Sequence, residues 1–242
     1  MKKLLIQTKN LSKNFFDNEV LKNVNISVYQ GDSLAIIGGS GQGKSVFLKC
    51  LTGLIEPDAG EILYEGLLLK GIRKKQLSSA FGVVFQGAAL FDSLPIWENI
   101  SFKFKYSGKY SEDERRVLAI QNLELVGLSE SIMDLFPSEL SGGMQKRVGI
   151  ARAIASKPKF LFFDEPTAGL DPIMSSTINK LIRSIINELG STAITISHDV
   201  TSIIEIADQV ALLDNGHIEW AGSIDEFKKS QNKKIMNFIA PS

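Results

Sequence analysis

One cysteine stands in the 242 residues, at position 50, which excludes an internal disulfide and any cysteine-built zinc cluster. A reducing compartment fits that scarcity. A surplus of charge is also missing: 27 Lys plus Arg balance 27 Asp plus Glu, for a formal net charge of +0. Proteins that live on DNA draw their affinity from cations that neutralise phosphates, so nucleic acid is not the expected partner. No apolar run approaches the roughly 18 to 20 residues that cross a bilayer. After the basic start Met1-Lys2-Lys3 the apolar run ends at Ile6, with Gln7 next, too short for a signal-peptide core. The chain is therefore expected to be soluble, or peripheral to a membrane through a partner. Internal repeats and low-complexity segments are lacking as well. What is present is an ordinary globular mixture, 44% apolar and 22% charged, at a length that supports one large domain or two small ones.

Short apolar runs alternate with helical patterns, which predicts an α/β fold with a largely parallel sheet. The expected strands are Leu4–Thr8, Val24–Val28, Ser33–Ile37, Phe81–Phe85, Phe160–Asp164, Thr192–Ser197, Val210–Asp214 and His217–Ala221. Leu34–Ile37 and Phe160–Phe163 are apolar on both faces, as central parallel strands are. Asp214-Asn215-Gly216 reads as a hairpin turn, which puts His217 at the surface. Between Phe91 and Lys157 the texture turns helical. Ser111-Glu112-Asp113-Glu114 matches a capping box for a helix that Gly127 ends, and a second helix is expected from about Gly143 to Ser156. The tail after Phe227 carries four lysines and reads as a frayed, solvated helix.

Gly38-Gly39-Ser40-Gly41-Gln42-Gly43-Lys44-Ser45 fills every required position of G-x-x-x-x-G-K-[ST], between a buried strand and a helical pattern. The glycines let successive N–H groups curl around phosphates, and the following helix N-terminus adds partial positive charge. Lys44 then reaches the β- and γ-phosphates of a nucleotide, and the Ser45 hydroxyl ligates Mg²⁺. A second site is Phe160-Leu161-Phe162-Phe163-Asp164-Glu165. Asp164 ends a buried strand and is placed to hold Mg²⁺ through water, while Glu165 is placed to polarise the attacking water. Alone, an Asp-Glu pair at a strand end is often a solvated turn. Beside a phosphate loop it reads as the hydrolytic half of an ATPase.

The segment Leu140-Ser141-Gly142-Gly143-Met144-Gln145-Lys146-Arg147 resembles the signature of the ABC (ATP-binding cassette) ATPases, and it stands just before the second acidic motif as in that family. The resemblance extends over nearly the whole chain. Gln86 looks like the Q-loop, Ala168-Gly169-Leu170-Asp171 like the D-loop, and Ser197-His198-Asp199 like the switch histidine. Phe15 stands where the family places an aromatic that stacks on adenine. The resemblance implies a P-loop NTPase of the ABC-ATPase fold, with a RecA-like core (about 1–90 and 158–226), an antiparallel β subdomain, an inserted helical subdomain (about 91–157) and a short C-terminal tail (227–242). It implies ATP and Mg²⁺ as ligands, with Ser45, Gln86 and Asp164 at the metal, and Glu165, His198, Lys44 and Gln86 in hydrolysis. It further implies a head-to-tail homodimer in which Ser141, Gly142 and Gly143 face the γ-phosphate held by the other subunit, with Asp171 in the D-loop nearby. Without the family, Ser141 reads as an ordinary helix cap, Asp171-Pro172 as an N-cap with proline at the first helical position, and Cys50 as inert packing.

Three details resemble the Mla/Mce-type ATPases, which energise lipid movement between the membranes of diderm cells. They are Gly39 and Val46 around the phosphate loop, the stretch Phe85-Gln86-Gly87-Ala88-Ala89-Leu90-Phe91-Asp92-Ser93-Leu94-Pro95-Ile96-Trp97-Glu98-Asn99-Ile100, and Met144 in the signature. That resemblance implies a permease docked near Gln86–Ile100, an Mce-domain lipid-binding protein and a small regulatory subunit, all at the cytoplasmic face of the inner membrane. Ala88, Pro95-Ile96 and Phe15 depart from the group's usual Gly, Thr-Val and Tyr, and the first two lie on the expected partner surface. The alternatives are the ATPase of a cell-division regulator or of a small-solute importer. Chromosome and repair ATPases insert a long coiled coil between phosphate loop and signature, and no sustained heptads stand there in this chain.

Overall fold

The computed structural model describes residues 2–239. Among these the strands run, in chain order, β1 (Leu4–Phe15), β2 (Asn18–Tyr29), β3 (Ser33–Ile37), β4 (Ala59–Tyr64), β5 (Leu67–Leu68), β6 (Phe81–Val84), β7 (Phe160–Asp164), β8 (Thr192–Ile196), β9 (Gln209–Asp214) and β10 (His217–Ser223). The helices are α1 (Lys44–Leu51), α2 (Lys74–Ala80), α3 (Ile96–Lys105), α4 (Glu112–Leu125), α5 (Gly142–Ile154), α6 (Pro172–Leu189), α7 (Val200–Ile206), α8 (Ile224–Lys228) and α9 (Lys233–Ile239).

The larger sheet has the order β10-β9-β3-β8-β7-β6. It is parallel from β9 to β6, and β10 returns antiparallel through the Asn215-Gly216 turn. Both turn residues take positive φ (49° and 83°), as a two-residue hairpin requires, and His217 follows exposed to solvent. Strands β3, β7 and β8 are buried at every position, which is why Leu34–Ile37 and Phe160–Phe163 read as unbroken apolar runs; β8 buries Thr192 and Thr195 among its apolar residues.

The smaller sheet, β2-β1-β4-β5, is antiparallel throughout. The sequence shows only part of it. Strands β1 and β2 pair along twelve residues each, far beyond the expected 4–8 and 24–28, but the ladder is broken by register shifts. Asn10 and Asn23 sit near those shifts with φ of 50°, a conformation asparagine tolerates. Each shift resets the inside–outside alternation, so the period-2 signal dies there. Strands β4 and β5, joined through the positive-φ pair Glu65-Gly66, were not expected at all.

Three cores hold these layers. Between the two sheets lie Leu5, Leu11, Val24, Ile62 and the α1 residues Phe47, Leu48 and Leu51, with Phe160 and Phe162 of β7. On the opposite face of the larger sheet, Leu161 and Phe163 of β7 pack with Ile96 and Trp97 of α3, Leu123 of α4, Ile150 of α5 and Ile182 of α6. Strand β7 thus sends alternate side chains into two cores, which fixes Asp164 at its end from both sides. Helix α4 begins as read, with Ser111 Oγ accepting from Glu114 N–H and Glu114 returning to Ser111 N–H, and Gly127 follows at φ 68°.

The tail corrects an expectation. It is not a frayed, solvated helix: α9 docks through Ile235, fully buried in the third core with Phe227, Ile203 and Leu212, while Phe238 and Ile239 pack at its edge. Burying one isoleucine contributes about 1.5–3 kcal/mol, and Lys234 turns its charge to use by pairing with Asp214 at 2.8 Å and Glu219 at 3.2 Å. The apolar minority decided the outcome, not the lysines.

Candidate functional site

The phosphate loop leaves the end of β3 and enters α1. Gly38, Gly41 and Gly43 take positive φ (153°, 75° and 94°), and Gly38 has a second reason to be glycine. A Cβ there would stand 2.2 Å from the backbone oxygen of Leu213 on β9. The Lys44 ammonium folds back into the loop and donates to the carbonyls of Gly38 and Gly39, both at 2.8 Å. Burial pulls its pKa down, opposed by the negative charges of Glu165 and Asp164. One turn-mate the sequence did not disclose is the hairpin: Asn215 N–H donates to Gln42 Oε1, tying the loop to the β9–β10 turn.

Across the sheet, Ser45 Oγ donates to Asp164 Oδ1 at 3.1 Å. Burial raises the Asp164 pKa, and the Ser45 hydrogen bond works against that shift. Glu165 then leaves the strand at φ 46°, its N–H donating to Ile196 O at 3.0 Å. Its carboxylate Oε2 lies 2.7 Å from His198 Nδ1, with the Glu165 side chain 17% exposed and that of His198 64%. Gln86, Glu165, Gly169, Ser197 and His198 line one pocket of about 400 Å³. Gln86, Glu165, the D-loop residues Ala168, Gly169 and Leu170, and His198 therefore meet around a single cavity, which Asp164, Asp171 and the phosphate loop do not line.

Other expected residues lie elsewhere. Ser141 caps α5, accepting from Met144 N–H at 3.3 Å, and the Ser141–Gly143 turn does not line that pocket. Gly143 rests against Met174 of α6, whose Sδ would be 3.1 Å from an added Cβ. Asp171 caps α6 with Oδ1 accepting from Met174 N–H at 2.9 Å, and Pro172 follows. Phe15 ends β1 at 40% exposure, with Lys13 Nζ 5.5 Å from its ring centroid.

Helix α5 supplies residues that sequence reasoning missed. Lys146 Nζ donates to the Gln86 carbonyl, Arg152 donates to Ala89 O at 2.8 Å and Ala88 O at 2.7 Å, and Gly149 lets Ala88 close in. Their i, i+3, i+6 spacing was a readable signal of one helix face. The Gln86–Ala89 turn they hold has positive φ at both Ala88 (58°) and Ala89 (49°). Beyond it, fully buried Asn99 closes the Phe91–Pro95 turn: its Oδ1 accepts from Phe91 N–H at 2.8 Å, and its Nδ2 donates to Phe91 O, Leu94 O and Pro95 O at 3.0, 2.9 and 3.3 Å.

A glycine-rich loop with a buried ammonium, beside a carboxylate and hydroxyl pair and a second carboxylate at a pocket, has the chemistry that suits the phosphates of a nucleotide. Residues 21–168 match the family described as ABC transporter. The chain is 36% identical to the L-cystine import ATP-binding protein TcyC of Bacillus subtilis, over 97% of this chain and 98% of that one. It is 35% identical to the intermembrane phospholipid transport system ATP-binding protein MlaF of Haemophilus influenzae, over 99% and 91%. The dimeric post-hydrolysis structure of the ATP-binding cassette MJ0796, bound to ADP and Pi, superposes with a TM-score of 0.82 at 31% identity, covering 91% of this chain and 99% of that one. The chain belongs to the ABC transporter family, as an ATP-binding subunit with the ABC ATPase fold, and its reaction is ATP hydrolysis.

Proposed function

We propose that this ATPase drives lipid transport across the cell envelope as a homodimer docked on a membrane permease. The observation that carries the cargo is the wording of Phe85–Ile100, together with likeness to MlaF along almost the full length of both chains. Among the described residues no helix is long and apolar enough to cross a membrane. The proposed attachment, at the cytoplasmic face, is through the Gln86–Ile100 surface. An Mce-domain lipid-binding protein and a small regulatory subunit complete the proposed assembly. The second reading, import of a small solute, is favoured by the equally extensive likeness to TcyC.

In the proposed mechanism Lys44 exchanges the Gly38 and Gly39 carbonyls for the β- and γ-phosphates, and the amides of Gly38, Gly39, Ser40, Gly41, Gln42 and Gly43 line the phosphate chain. Ser45 and Asp164 present hard oxygen donors 3.1 Å apart, a set that suits Mg²⁺, which keeps waters and binds few carboxylates besides phosphate oxygens; Gln86 is proposed to join them. When bound, Mg²⁺ supplies charge neutralisation at the β- and γ-oxygens. Glu165 orients and polarises the attacking water, while His198, 2.7 Å from it, donates toward the γ-phosphate. Phe15 stacks on adenine. Ser141, Gly142 and Gly143, which do not line the pocket of their own chain, cap the nucleotide of the opposite subunit, with Asp171 in the D-loop nearby. Nucleotide drives the partner only by its preference for the closed dimer, since a ligand shifts an equilibrium by its differential affinity alone.

Affinity capture from detergent-solubilised membranes with the Glu165→Gln chain tests the cargo. A permease arriving with an Mce-domain protein supports lipid transport. A solute-importer permease or a division-type membrane protein refutes it and leaves the ATPase chemistry intact. A Glu165→Gln chain that turns over ATP at the wild-type rate refutes the role of Glu165.

A further inference from the structure

Behind the pocket, one buried hydroxyl ties together the three pieces that surround it. Ser202 Oγ, on α7, lies 2.6 Å from Asp199 Oδ2, 2.9 Å from Asn179 Nδ2 and 3.2 Å from Thr167 Oγ1. The direction of each hydrogen bond is forced. A carboxylate only accepts, so the single Ser202 proton goes to Asp199, and an amide nitrogen only donates, so Asn179 gives to Ser202. Thr167 is then left to donate as well. Ser202 thereby gives one hydrogen bond and accepts two, which saturates it.

The partners come from different elements. Thr167 stands two residues past Glu165, Asn179 lies on α6, the helix that Asp171 opens, and Asp199 follows His198 directly. Ser202 and Asn179 are fully buried and Thr167 nearly so. Asp199 also accepts from the backbone N–H groups of Thr201 and Ser202, and its own N–H donates to Ser197 Oγ at 3.0 Å, closing a turn around His198. Asn179 Nδ2 donates as well to Glu205 Oε2 at 2.9 Å, while its Oδ1 is buried without a partner among the described residues. A buried hydroxyl whose own bonds are all made specifies one arrangement, because any displacement strands a donor in low dielectric.

We infer that Ser202 is a positioning residue that holds His198 at its 2.7 Å distance from Glu165 and locks both to α6. The inference rests on the proposed role of His198 and deepens it. Ser202 touches neither nucleotide nor water in this reading. It acts by fixing where the His198 backbone leaves β8.

His198 and His217 are the two histidines of the chain, so imidazole NMR reads the position of His198 directly, with exposed His217 as internal control. Glu165→Ala marks the signal of an unpaired His198. In Ser202→Ala the His198 resonances should move most of the way to that position while those of His217 stay in place. ATP turnover by the full chain should fall about ten- to a hundredfold at a KM within about twofold, the cost of a misplaced group. Thr167→Val, which removes one donor and keeps the shape, should move the same signals by less, and Thr167→Ser should restore them. The Thr167 pair decides the matter if Ser202→Ala does not fold. His198 resonances left at wild-type positions overturn the inference, even if thermal stability drops. Wild-type turnover in His198→Ala overturns the parent reading instead, and the NMR comparison tells the two failures apart.

Discussion

Asn99 offers a quantitative test of how the proposed permease surface is held. Its carboxamide oxygen accepts one backbone bond and its two N–H groups are shared among three carbonyls, all in the Phe91–Pro95 turn, and the residue is fully buried. Replacing it with the isosteric Asp keeps the acceptor that faces Phe91 N–H and puts a second oxygen against three carbonyls. Only a protonated carboxyl can donate there. Burial and the carbonyl dipoles therefore raise the pKa of the new acid in the folded state above its unfolded value of about 3.9. The folded state then holds the proton that the unfolded chain loses, so the native structure binds more protons and stability falls as pH rises.

The loss amounts to about 1.4 kcal/mol for each pH unit between the unfolded and folded pKa values. Between pH 4 and pH 7 it reaches at most about 4 kcal/mol, a large share of the 5–15 kcal/mol typical of a folded domain. Urea denaturation of wild type and Asn99→Asp at matched pH values measures the difference, and amide exchange at Phe91 locates it. Near pH 4 the protonated variant keeps one donor for the turn and should stand nearest to wild type, and at pH 7 it should be weaker still with Phe91 exchanging faster. A stability difference that does not change between pH 4 and pH 7 refutes the assigned donor role of Asn99.

Further outcomes follow from the same geometry. Gly38→Ala drives a Cβ to 2.2 Å from the Leu213 oxygen; because the neighbour is backbone, the loop must move, and a loss of about 1–3 kcal/mol by denaturation should accompany weaker ATP binding in calorimetry. Lys44→Ala should abolish measurable ATP binding while the fold survives by circular dichroism, since the ammonium contacts only loop carbonyls; retained affinity would refute its place on the phosphates. Burial pushes the Cys50 thiol up to about 11, leaving a thiolate fraction of about one in a thousand at pH 8. Maleimide should therefore label the native chain slowly and the urea-unfolded chain at once, and immediate native labelling would contradict the packing of α1.

The chemistry was more legible in the sequence than the architecture that carries it. The phosphate loop, Asp164, Glu165 and His198 are local words, set on strands whose burial on both faces writes itself as an apolar run. Strands β4 and β5 escaped because they form an edge with few buried side chains, and β1 and β2 were truncated because bulges reset the alternation. The tail was misread for a related reason. A charge run is visible at once, whereas Ile235 matters only because Phe227 and Ile203 happen to face it. For Lys146 and Arg152 the sequence shows a shared helix face and no more, and for Asn99 not even that: all three work on backbone carbonyls, and a residue's type says nothing of which carbonyl will pass nearby.

Those carbonyl contacts also bear on how nucleotide state reaches a partner. Helix α5 opens with Ser141–Gly143 and, along one face, grips the Gln86–Ala89 turn with Lys146 and Arg152. The same helix buries Ile150 in the core that receives Leu161 and Phe163 of β7, the strand that ends at Asp164. A displacement at either end of α5 must then either carry the Gln86 turn along or break charge-assisted hydrogen bonds at partly buried cations, and close-packed cores switch between discrete arrangements more readily than they deform. Coupling through α5 is thus the cheaper path. Arg152→Lys separates the alternatives, since a lysine keeps the charge but loses the two-pronged grip on Ala88 and Ala89. It should leave ATP affinity within about twofold and reduce the stimulation of turnover by the membrane partner. Full stimulation in that variant would show that the turn moves independently of the helix.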